Sequence, residues 1–100
     1  MMIIRLARKI GFFYKNEEWA ERKFIELRDQ HQSDLKHVIH SCSERRLVFH
    51  GGTMILFVPV DDRCRGCKFD EIYYQKGISK EILNAIVRPC LIQSWIWEIE

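Results

Sequence analysis

The sequence predicts an α/β (or α+β) protein, a small mixed sheet of about five strands with two helices. Two segments carry apolar residues at helical spacing, near residues 16–32 and 79–88. Others change to a period of two, and a Gly51-Gly52 pair sits between two apolar runs as a hairpin signal. No internal repeat or low-complexity linker interrupts the chain, so residues 1–100 are expected to form a single domain.

Taken in order, Ile3 to Leu6 is a short apolar run that suits a strand, with Gly11 ending whatever begins there. Asn16 then reads as a helix N-cap, and Glu17 and Glu18 fall in the first turn, where the helix dipole favours negative charge. Trp19, Ala20, Phe24, Leu27 and His31 share one stripe, while Glu21, Arg22, Glu26 and Arg28 face outward, and the helix is expected to end near Gln32. From Leu35 the alternation sets Leu35, His37 and Ile39 against Lys36, Val38 and His40. Leu47–His50 and Met54–Val58 flank the glycine pair, and Pro59 closes the second of these strands. Asp61 to Lys68 is a polar loop rich in arginine, and Ile72-Tyr73-Tyr74 is the next strand, ended by Lys76-Gly77. Ser79 caps a second helix with Ile82, Leu83, Ile86 and Val87 inward, which Pro89 stops, because the residue before a proline avoids the helical region. Leu91 to Ile99 reads as a last strand, with Leu91, Gln93, Trp95, Trp97 and Ile99 on one face.

A chain of 100 residues buries roughly two-thirds of its unfolded surface. Apolar residues make up 47% and charged residues 30%, far from the composition of a disordered chain. The net charge of +2 is compatible with nucleic acid without demanding it. Charge interrupts the amino-terminal apolar run too early for a signal peptide, and no run approaches the ~20 apolar residues that cross a bilayer. The expectation is therefore a cytoplasmic protein (host-cell cytoplasm if phage-encoded), with Cys42, Cys64, Cys67 and Cys90 free or metal-bound rather than in disulfides.

The segment from Arg63 to Tyr74 holds most of the chemistry. Cys64 and Cys67 have the spacing of two zinc ligands, and Cys42 or Cys90 with His40 or His50 would have to complete a tetrahedral site. A second C-x-x-C or C-x-x-H pair is missing, and a redox dithiol would normally open a helix, whereas Lys68-Phe69-Asp70 leads into a strand. Plain loop cysteines without a metal, and hence no cofactor, are the reading to which the spacing defaults. His37 and His40, three apart on a strand, point to opposite faces and do not chelate together. No nucleophile motif is present, and the acid pairs Asp61-Asp62 and Asp70-Glu71 read as solvent-facing, so no catalytic residue and no enzyme activity is expected. Arg45 and Arg46 precede the hairpin, and Arg63, Arg65 and Lys68 crowd the loop after it. A sheet that joins the two ends would make them a phosphate-binding edge, and otherwise they are a solvated loop.

Residues 46 to 91 resemble a section of the ATPase domain of phage large terminases and related P-loop packaging motors. The residues that carry the likeness are Arg46-Leu47-Val48-Phe49-His50-Gly51-Gly52-Thr53-Met54-Ile55, then Arg65-Gly66, then Phe69 to Gln75, with residues 16 to 32 matching an earlier helix. The resemblance implies a partial P-loop-like core with residues 70 to 75 as a central parallel strand. It also implies what is lost: no G-x-x-x-x-G-K-[ST] occurs, and Gln75-Lys76 stands where the Walker B acids would follow the strand. The expected function is that of a non-catalytic phage- or mobile-element-type protein that binds nucleic acid or a motor partner through its arginine loop. A zinc-stabilised interaction module centred on Cys64 and Cys67 is one alternative. The other is an oligomeric structural or inhibitory protein that uses its tryptophan-bearing C-terminal strand as the interface.

Overall fold

The computed structural model describes residues 8–41, 43–61, 67–92 and 95–100. Within them the chain forms β1 (Lys9–Tyr14), α1 (Glu17–Gln30), β2 (Leu35–His40), β3 (Arg45–Phe49), β4 (Met54–Pro59) and β5 (Glu71–Gln75). A short helix α2 (Lys80–Ile82) then continues through a π-type turn at Leu83–Val87 and a 3-10 turn at Arg88–Cys90 before β6 (Ile96–Ile99). The protein is a mixed α/β domain with six strands among the described residues, one more than the sequence suggests. No described helix is long and apolar enough to cross a membrane.

The strands lie in the order β2-β3-β4-β1-β5-β6. β2, β3 and β4 form an antiparallel meander, whereas β4, β1, β5 and β6 all run parallel. β1 takes the centre because its residues are apolar in both directions, as a strand covered on both faces requires. Phe12 and Tyr14 pack with Trp19, Ala20 and Phe24 of α1 and with Leu47, Ile55 and Phe57. On the opposite face Phe13 joins Val58, Phe69, Ile72, Leu83, Val87 and Cys90. The two helical segments thus cover opposite faces of the sheet. Phe24 and Phe13 are completely buried and anchor the two cores.

Several expectations are corrected here. Ile3–Leu6 lies outside the described residues, and Gly11, expected as a terminator, sits inside β1. A Cβ there would stand 3.0 Å from the rings of Phe13 and Phe69, so the glycine serves close packing rather than a turn. β2 carries a bulge between Leu35 and His37, which puts Leu35 on the α1 face and not with His37 and Ile39. Helical conformation continues past Pro89, which occupies the first turn of the 3-10 segment, where its missing N–H costs nothing. The last strand is shorter than Leu91–Ile99, and Leu91 makes only an isolated bridge to Phe69. The hairpin is as expected, its turn passing through Gly52 at φ 93°.

Candidate functional site

Open parallel sheets collect ligands where strand ends diverge to opposite faces, at their carboxyl edge. In this fold that place lies between β1, followed by α1 on one face, and β5, followed by α2 on the other. The protein's own groups fill it. The Gln75 side-chain Oε1 accepts hydrogen bonds from the backbone N–H of Lys15 (2.9 Å) and of Asn16 (3.2 Å). Its Nε2 donates to Asn16 Oδ1 at 2.9 Å, and Lys15 Nζ donates to the Gly77 carbonyl at 3.1 Å. Asn16 is therefore the N-cap of α1 by position, but its side chain is engaged by Gln75 and makes no capping bond. The Gln75 carboxamide thus closes the turn between β1 and α1 with a neutral group.

The acid pair Asp70-Glu71 sits at the other, amino-terminal edge. Contrary to the expectation that these acids face solvent, Asp70 Oδ2 accepts from the Lys9 N–H at 2.8 Å, and buried Glu71 pairs with Arg8. Both fasten the start of β1 to the start of β5. Tyr73, against Glu71, has its pKa raised, first by burial and then by that neighbouring charge.

The basic residues expected to act together divide between the two faces, because neighbours on a strand point opposite ways. Arg45 turns toward α1 and is buried, donating to Glu21 Oε1 and Glu17 Oε2 at 3.0 Å each. Glu21 also receives His40 Nε2 at 2.8 Å, and these two hydrogen bonds, His40 first and then Arg45, hold its pKa below the ordinary value. Tyr14 completes the network through a 3.3 Å bond to Glu17, with its own pKa raised chiefly by burial.

Arg46 faces the other way and pairs with Glu44 at 2.7 Å. It lines a cleft of about 320 Å³ with Ser43, Tyr14, Leu56, Val58, Pro59 and Cys67. Its Nε is buried without a hydrogen-bond partner among the described residues. The cleft lies at the carboxyl ends of β1 and β4, where Val60 N donates to Tyr14 O at 3.0 Å as the chain leaves β4. Cys67 stands on the cleft wall. Lys68 points away and donates to the Pro89 carbonyl at 2.7 Å. Arg63, Cys64 and Arg65 lie outside the described residues. Of the expected site, the structure brings together Arg46 and Cys67, separates Arg45 and Lys68 from them, and leaves the rest undescribed.

Cys67 is half-buried and Cys90 buried, and Cys90 Sγ donates to the Ile86 carbonyl at 3.3 Å. Among the described residues no group of three or more His, Cys, Asp or Glu side chains is arranged to hold a metal ion. What sequence reasoning missed is that Gln75 and Asn16 meet. Their pairing joins positions far apart in sequence, and only the sheet order reveals it.

Comparison with protein families, with curated proteins and with solved structures returns no match for this chain.

Proposed function

We propose that this is a non-catalytic binding domain that engages the phosphate backbone of nucleic acid through Arg46 and the arginine loop between Asp61 and Cys67. The observation that carries this is the cleft at the carboxyl ends of β1 and β4. Arg46 lines it, and the loop bearing Arg63 and Arg65 departs beside it at Val60 and returns to its wall at Cys67. Lysine and arginine side chains that displace counterions from phosphates supply affinity without a sequence code.

The resemblance to phage packaging motors fits the same picture. Residues 71–75 form a parallel strand between β1 and the edge strand β6, in keeping with the parallel pairing that the resemblance implies, while the central place belongs to β1. The turn after β1 is closed by Gln75, so the backbone N–H groups of Lys15 and Asn16 already have an acceptor. That supports a domain that binds without hydrolysing nucleotide. A motor subunit is the protein partner consistent with such a scaffold.

Titration of the protein with duplex and with single-stranded DNA at several salt concentrations tests the proposal. Binding is expected to weaken as salt rises, and the combined Arg46→Ala, Arg63→Ala and Arg65→Ala variant to lose about one unit of salt slope for each phosphate contact removed. An affinity indifferent to salt, or one that the triple variant leaves intact, overturns it.

A further inference from the structure

We propose that the chain forms a two-fold symmetric dimer by antiparallel pairing of β6 with the β6 of a second copy, Trp97 facing Trp97 across the axis. α1 covers the sheet over its central strands, and among the described residues no other helix packs on that face. On this face Phe57 and Phe12, buried under α1, continue through Tyr73 to Trp97 as one row across four strands, successive ring centroids 5.1, 5.0 and 5.1 Å apart. The row ends at the sheet edge, where Trp95 is 39% and Trp97 44% exposed. Among the described residues β6 pairs with β5 alone, so the outer side of β6 presents unfilled backbone groups.

The backbone alternation fixes how a second β6 would fit. The carbonyls of Trp95 and Ile99 accept from Ile72 and Lys76 of the β5 side, so those of Ile96 and Glu98, with their N–H groups, point outward. Antiparallel pairing of Ile96 with Glu98 of the second copy, and of Glu98 with its Ile96, uses all of these groups. Trp97 then meets Trp97 as a non-hydrogen-bonded pair, the closer kind, with Cα atoms about 4.5 Å apart. Trp95 falls opposite Ile99, and every residue from 95 to 99 is matched. A slip toward the carboxyl end would oppose Glu98 to Glu98, two like charges. A slip toward the amino end would leave Glu98 and Ile99 opposite residues before the strand.

Charge favours a second copy over a nucleic acid on this face. Arg8 lies 4.7 Å over Trp95, but its charge is matched by Glu71, and Lys76 is matched by Glu100 at 3.2 Å. A polyanion would find stacking surface without net positive charge, whereas a self-complementary apolar edge needs none. A four-residue strand with two indoles makes a small interface, which corresponds to weak, concentration-dependent association. It is independent of the nucleic-acid proposal, since β6 and Arg46 lie on opposite halves of the sheet.

Sedimentation over a wide range of protein concentration tests this directly. The mass is expected to double as concentration rises. Glu98→Pro removes an outward N–H but no bond to β5, and is expected to stay monomeric with an unchanged circular dichroism spectrum. Should that variant fail to fold, cysteine cross-linking decides the matter. Trp97→Cys is expected to give a disulfide-linked dimer on mild oxidation, beyond any formed by the parent protein, and Glu98→Cys is not. A mass that never rises, a dimer that survives Glu98→Pro, cross-linking through position 98 instead of 97, or a ladder of larger species each overturns the proposal.

Discussion

At Gln75 one carboxamide meets three partners in the turn between β1 and α1: the N–H groups of Lys15 and Asn16 and the side-chain oxygen of Asn16. Gln75→Ala is expected to lower stability by about 0.5–1.5 kcal/mol for each hydrogen bond lost, measured by urea unfolding. Gln75→Glu should lose less, because a carboxylate accepts both N–H bonds beside the positive end of α1 and Asn16 can turn its amide to donate. Glu21 gives a second prediction. Its pKa is lower folded than unfolded, so its contribution to stability is complete above the ordinary carboxylate range and is lost as pH falls through the folded value. Glu21→Gln is expected to flatten that acid limb of the melting temperature against pH, while wild type and variant converge at low pH. Neither residue's partners were legible in the sequence. Gln75 read only as the residue standing where an acid was expected, and the amide's partners lie some sixty positions earlier.

Among the elements, α1 was the most legible, because a local 3.6-residue stripe and two acids in the first turn suffice to define it, and it spans Glu17–Gln30. β1 was the least. Gly11 looks like punctuation in a linear reading, yet it lets the Phe13 and Phe69 rings approach the strand. Gly11→Ala is therefore expected to destabilise the fold by about 1–3 kcal/mol through overpacking, read from a chemical unfolding midpoint shifted without a change in slope. The alternation of β2 was legible only as far as its bulge, since an inserted residue breaks the parity that a period of two assumes. Arg45 parts from Arg46 for a related reason: the two are neighbours on one strand and therefore lie on opposite faces.

For the molecule as a whole, the α/β class and the hairpin followed from local pattern, but the order β2-β3-β4-β1-β5-β6 did not. Strand order depends on which apolar faces meet across long separations, and no periodicity records that. The arrangement also divides the sheet by the sequence separation of its partners. β2, β3 and β4 pair with sequence neighbours, whereas β1 must find β4 and β5, with Lys9 against Met54 and Ile10 against Glu71. Local contacts form first and loop closure delays the others, so the meander from 35 to 59 is expected to be protected in pulsed hydrogen exchange before β1 is.

The central place of β1 carries a consequence for synthesis. Ribosomes deliver the chain amino end first, so the Phe12-Phe13-Tyr14 run emerges well before either strand that will flank it. Until residue 75 has left the exit tunnel, this aromatic strand has at most one of its two neighbours, and a nascent chain halted short of that point should be a good client for a trigger-type chaperone.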